Sequence, residues 1–182
     1  MHQVARGLRD RRLGAGIVYL VPELLRDMLQ YALYDETYCL VSLASSPGTP
    51  SRPISWKQAG RLPLALLSPD MLNRRLIDKV FTDQGIRPTI RLQSDSILSL
   101  LTHVEKGLCS AIVPRSSLSS LPSSGSLLVQ PLVDPVIRHG VGLVMLREAS
   151  TTPWGQQLDA LFRSAAFVER FSPLGKPATL SR

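Results

Sequence analysis

The chain has 182 residues, 44% of them hydrophobic and 19% charged, with a formal net charge of +7 and two cysteines. That length and apolar content exclude a disordered chain and a large multidomain machine, and leave room for one domain or two small lobes. Two cysteines exclude a disulfide scaffold and a four-cysteine zinc site, and no apolar run is long enough for a membrane span. The opening Met-His-Gln-Val-Ala-Arg is not followed by an apolar stretch and does not read as a secretory leader. The expectation is a soluble cytoplasmic protein with no membrane partner. The excess charge is concentrated at the ends, +3 over residues 1–12 and +3 over residues 163–182. No aromatic residues interleave with it as a single-strand nucleic-acid platform requires, so solvated basic ends are the preferred reading.

In chain order, Gly14–Leu20 and Tyr38–Leu43 read as short buried strands, and Ala44–Pro53, with three prolines and a glycine, reads as a loop. Pro63–Leu67 reads as a third strand. Ser68-Pro-Asp then opens a helix, with Ser68 or Asp70 as its cap. Met71, Leu72, Leu76, Ile77, Val80 and Phe81 fall on one stripe, and Gly85 ends it. The pattern repeats: strand Thr89–Gln93, cap Ser94-Asp-Ser, apolar face Ile97, Leu98, Leu100, Leu101 and Val104, stop at Gly107, strand Cys109–Val113. The Ser116–Ser126 segment, rich in serine, reads as a surface loop. Leu127–Leu132 and Val141–Leu146 add two strands, residues 153–168 a last amphipathic helix, and residues 171–182 a tail. Strand and helix alternating at this spacing predict right-handed crossovers and an α/β fold with a mostly parallel sheet.

Ligands of such sheets bind beyond the carboxyl ends of the strands. Two strand ends, at Ser68 and at Ser94 with Ser96, place hydroxyls at helix N-termini, where unpaired N–H groups and the positive dipole end suit a small anion. The alternative is that these serines only cap their own helices. Arg74 and Arg75 follow Ser68 and could reach an anion, although an exposed arginine is the more ordinary reading. Cys39 and Cys109 sit in apolar strands as small hydrophobes. His2, His103 and His139 have no metal-ligand spacing, and there is neither a nucleophile elbow nor a phosphate loop. No catalytic residue, metal or cofactor is expected.

Several blocks resemble one family. Pro53–Leu67 is similar to the "isl-dL-plil" segment of LysR-type transcriptional regulators, Arg75–Pro88 to their "R-x-x-id-x-x-f-x-x-x-G-x-x-P" helix and turn, and Val104–Pro114 to their "V-x-x-G-x-G-i-a-i-l-P" block. Leu13–Leu20 and Leu33–Val41 resemble two of the family's strands. Each block alone is weak; their order over about residues 8–168 is specific. The resemblance implies a type 2 periplasmic-binding-protein-like fold of two lobes with mostly parallel sheets. A partial first lobe would span 1–61, a second lobe 62–147, and a return to the first lobe 148–170. It implies an effector pocket between the lobes, with Ser68, Ser94 and Ser96 on one side and Tyr19 from the first-lobe strand on the other.

The implied function is that of the effector-sensing domain of a LysR-type transcription regulator, binding a small anionic metabolite. DNA would be bound only through a winged helix-turn-helix, which these residues lack. The family's opening strand–helix–strand of the first lobe also has no counterpart here, and Cys109 stands where the family has glycine. An incomplete first lobe predicts an uncovered edge near Ile17 and Leu40, and hence a homo-oligomer. A solute-binding module of a transporter is the alternative on the same fold; a small α/β enzyme lacks the residues it would need.

Overall fold

The computed structural model describes residues 2–46, 48–119 and 126–171. In chain order the helices and strands are α1 (His2–Arg9), β1 (Gly16–Tyr19), β2 (Met28–Glu36), β3 (Tyr38–Leu43), β4 (Ile54–Ser55), α2 (Trp56–Ala59), β5 (Pro63–Leu67), α3 (Leu72–Asp83), β6 (Thr89–Ser94), α4 (Ile97–Glu105), β7 (Ser110–Pro114), β8 (Leu127–Val133), β9 (His139–Leu146), α5 (Pro153–Arg163) and α6 (Ala165–Glu169). They fall into two compact units. One is built from the residues up to Glu36 and from Arg138 onward, the other from Thr37 to Ile137.

The Thr37–Ile137 unit holds a six-stranded sheet in the order β4-β8-β3-β7-β5-β6. The strand–helix–strand–helix–strand run read from the sequence is its parallel part, since β5 pairs parallel with both β6 and β7. β3 pairs antiparallel with β7 and β8. The chain runs from β5 outward to β6, then back past β5 to β7. Right-handed crossovers in opposite directions put α3 and α4 on opposite faces. The side chains divide accordingly. Leu64, Leu66, Leu40 and Ile112 pack with Ile77, Val80 and Phe81 of α3. Ala65, Leu67, Val41, Ala111 and Val113 pack with Leu100, Leu101 and Val104 of α4. A strand apolar on both faces is therefore what β5 needs, and Leu64–Leu67 are fully buried. Gly85 and Gly107, at φ +64° and +70°, follow α3 and α4 in the left-handed backbone conformation expected of helix stops.

The other unit holds a three-stranded antiparallel sheet, β1-β9-β2. One face packs Val18, Met28 and Val144 against Ala5 and Leu8 of α1. The other packs Leu33, Leu143 and Met145 against Phe162 of α5. The Tyr31 hydroxyl donates to the Asp159 carboxylate, which also accepts two bonds from Arg163 Nε at 2.9 and 3.0 Å.

Several expectations are corrected here. The units divide at Thr37 and Ile137 rather than at 62 and 147. The reason is pairing: β3 is bonded on both sides within the larger sheet, while β9 is bonded only to β1 and β2. Leu40 is fully buried because β3 is an interior strand, whereas Ile17, on edge strand β1, is 56% exposed as expected. Leu98 is 65% exposed, off the buried stripe of α4. The helix read over 153–168 is broken at Ser164, whose backbone is extended (ψ 133°). The expected tail lies outside the described residues except for 171, as do residues 120–125 of the serine-rich loop.

Candidate functional site

The carboxyl ends of β5 and β6 lie side by side. Leu67 is opposite Ser94 in the parallel register, and the Ser68 N–H donates to the Ser94 carbonyl at 3.0 Å. The two predicted serine turns are thus joined through the backbone.

Their local chemistry differs. Ser96 is the N-cap of α4, its Oγ accepting from the Ser99 N–H at 3.3 Å. Ser94 Oγ accepts from the Ser96 N–H at 3.1 Å. Both oxygens are engaged as acceptors by their own backbone, so each hydroxyl hydrogen is left to donate elsewhere. Ser68 does not cap α3. Its carbonyl accepts from the Met71 N–H at 3.0 Å, closing a four-residue turn with Pro69 in second position. Helix α3 starts one residue later, with Met71 as an N-cap that lends no side-chain bond. Proline's fixed φ favours this turn, and the Ser68 hydroxyl makes no hydrogen bond among the described residues. Asp95, between Ser94 and Ser96, is exposed and sets a negative charge in the same turn.

Arg74 is the residue the sequence reading undervalued. It is 6% exposed, while Arg75 is exposed. Its Nη1 donates to the Leu67 carbonyl and to Gln93 Oε1, both at 2.8 Å, and its Nε to Asp78 Oδ1 at 2.8 Å. The signal was present in the spacing: Arg74 lies three residues before Ile77 and seven before Phe81, on the buried stripe. Tyr38 closes the same region from β3, its hydroxyl donating to Asn73 Oδ1 at 3.3 Å.

Tyr19, the fourth predicted residue, belongs to the other unit. It ends β1 opposite Val141, with its ring edge-on to His139 at 6.3 Å. Burial pushes the His139 pKa below the ordinary histidine value. At the far end of that β1–β9 pair a cavity of about 340 Å³ is lined by Leu8, Leu13, Leu146 and Trp154. The two charged groups on its rim, Arg11 and Glu148, pair with each other at 3.2 Å. Among the described residues no three His, Cys, Asp or Glu side chains converge as metal ligands. Cys39 and Cys109 are both buried, and burial pushes the Cys109 thiol pKa up. No helix among the described residues is long and apolar enough to cross a membrane.

Each of the two units combines helices with a sheet, and the LysR regulatory domains that the chain resembles in structure have this type 2 periplasmic-binding-protein-like fold. The match of the LysR substrate binding domain model to residues 1–166 makes the chain a member of that family, the effector-binding domain of LysR-type transcription regulators. Among curated proteins it is similar to a probable nitrogen assimilation transcriptional activator of Synechococcus elongatus, at 24% identity over 165 residues. That alignment covers 89% of this chain and 53% of the relative, so the chain spans about half the relative's length. Among solved structures it is similar to the Synechocystis CcmR regulatory domain in complex with 2-PG, with a TM-score of 0.74 and 13% identity over 88% of this chain and 77% of that one. It is also similar to the effector binding domain of QuiR in complex with shikimate, with a TM-score of 0.70 and 18% identity over 95% and 78% of the two chains.

Proposed function

We propose that this effector-binding domain senses a small anionic metabolite at the joined ends of β5 and β6, with Ser68, Ser94 and Ser96 as its hydroxyl donors. The observation that carries the reading is that Ser94 Oγ and Ser96 Oγ each already accept a backbone N–H while their hydroxyl hydrogens donate to nothing among the described residues. With those oxygens already bonded to N–H groups, the available hydroxyl hydrogens favour an acceptor, and the N-terminus of α4 favours a negative one. The complexes of two structural neighbours with 2-PG and shikimate support a small-molecule ligand.

Occupancy of the site biases the domain toward one of its conformations, and the whole regulator converts that bias into a change of DNA binding. Self-association is part of the same proposal, through the open edge of β1 where Ile17 is exposed; sedimentation over a range of concentrations measures it, and a monomer throughout removes it. The site itself is tested by calorimetric titration with inorganic sulfate and with shikimate. Ser94→Ala and Ser96→Ala should each weaken binding about 3- to 10-fold, and Asp95→Asn should strengthen it about 2- to 5-fold by removing a like charge. Unchanged affinities in all three variants refute the assignment.

A further inference from the structure

We propose that Arg74 is the positioning residue of this anion seat and the source of its preference for doubly over singly charged anions. The inference rests on the functional reading above and names a residue beyond it.

A guanidinium is rarely buried, and it stays buried only where its N–H groups are matched. The side chain of Arg74 is 7% exposed, and its partners are telling. Nη1 bridges the Leu67 carbonyl and the Gln93 side chain. Leu67 and Gln93 are the residues immediately before Ser68 and Ser94. One nitrogen therefore ties the ends of β5 and β6 together one residue short of the proposed ligand hydroxyls. Moving that nitrogen would move both turns.

The remaining donor is Nη2. It makes no hydrogen bond among the described residues, yet no buried side-chain nitrogen or oxygen lacks a partner. Nη2 is thus the atom of this guanidinium that keeps access to solvent. The counter-ion, Asp78, contacts only Nε and is 42% exposed, so water screens it more than it screens the arginine. The two turns of the seat carry two exposed carboxylates, Asp70 after β5 and Asp95 after β6. The strand ends thus hold one buried cation and two exposed carboxylates, and water screens the carboxylates more than it screens the guanidinium. A dianion gains more from that cation than a monoanion does.

The test follows backbone amide shifts of Ser68, Ser94, Ser96 and Ser99 by NMR in the full chain during titration with sodium sulfate and with sodium acetate. The wild-type chain should bind sulfate more tightly than acetate. Arg74→Gln should lose at least about tenfold in sulfate affinity and bring the sulfate-to-acetate ratio close to one. Arg74→Lys cannot make the same bridge but keeps the charge. It should weaken both anions yet hold the ratio, whereas a purely structural strut would hold the ratio in Arg74→Gln as well. A folded Arg74→Gln chain with the wild-type ratio overturns the proposal. If Arg74→Gln does not fold, Gln93→Leu decides: it removes the bridge and leaves the charge, so both affinities should fall by a common factor. Unchanged affinities, or an altered ratio, overturn the proposal. If wild-type serine amides do not respond to sulfate at all, the functional reading fails and this inference falls with it. A wild-type response with no effect of Arg74 defeats this inference alone.

Discussion

Replacing Trp56 with phenylalanine tests the core that supports the site. Trp56 opens α2 and is fully buried. Its ring meets Phe81 of α3 edge-on at 5.6 Å and Tyr38 of β3 at 6.4 Å, and its Nε1 donates to the Pro135 carbonyl at 2.9 Å. Phenylalanine retains an aromatic edge but loses the donor and part of the ring. Pro135 is exposed, so water can reach its freed carbonyl, and the lost bond costs about 0.5–1.5 kcal/mol rather than a full burial penalty. The void left by the smaller ring adds about 1–2 kcal/mol. The expected total is about 1.5–3.5 kcal/mol, a large share of the ~5–15 kcal/mol available to a domain. For a unit of about a hundred residues this lowers the melting midpoint by roughly 10–20 °C. Urea unfolding followed by far-ultraviolet circular dichroism measures it, with Trp154→Phe as control. Trp154 is 42% exposed, and its replacement should stay within about 0.5 kcal/mol. A Trp56→Phe midpoint as close to wild type as the control's would refute the packing argument.

Two further predictions concern the other unit. Burial, and then the neighbouring Asp159, push the Tyr31 pKa from 10.0 up to about 12. A raised folded-state pKa means that its stabilisation is complete below pH 10 and is lost as pH climbs from 10 toward 12. Urea stability should therefore decline over that window in wild type, and Tyr31→Phe should flatten the decline; equal slopes in the two proteins would count against the Tyr31–Asp159 bond. Gly155→Ala should destabilise by about 2 kcal/mol or more, because an added Cβ would lie 1.9 Å from the Ala149 carbonyl oxygen, a backbone atom that cannot swing aside. A melting temperature within about 2 °C of wild type would show that the Ala149–Gly155 approach is looser than described.

The sequence was most legible where one physical rule acted alone. β5 had to be apolar on both faces, and its bounds, Pro63 to Leu67, coincide with the expected strand. Ser96 was recognised as a cap because a hydroxyl before an apolar stripe has few other uses. Reading failed where two rules competed. Only the end of β2 fell within the strand-like block Leu33–Val41, and Met28–Ala32 went unread because the register shifts between Ala32 and Tyr34, which breaks the alternation that marks a strand. Helix α1 was masked by its arginines, although Ala5 and Leu8 on its inner side are buried. Ser68 looked like a cap, but Pro69 favoured a turn of its own before the helix. Arg74 was dismissed because arginine is usually solvated, and only the three-dimensional meeting of Leu67, Gln93 and Asp78 explains why this one is not.

The strand order β1-β9-β2 has a consequence for synthesis on the ribosome. β9 separates β1 from β2, yet it is the last of the three to be made. Until residue 146 has left the exit tunnel, the nascent chain carries two strands that have no neighbour within their own sheet. The Thr37–Ile137 segment is continuous and has by then been completed. Its folding brings residues 36 and 138 toward each other and shortens the loop that remains to be closed. Of the two sheets described, the one whose strands begin first along these residues is therefore finished last.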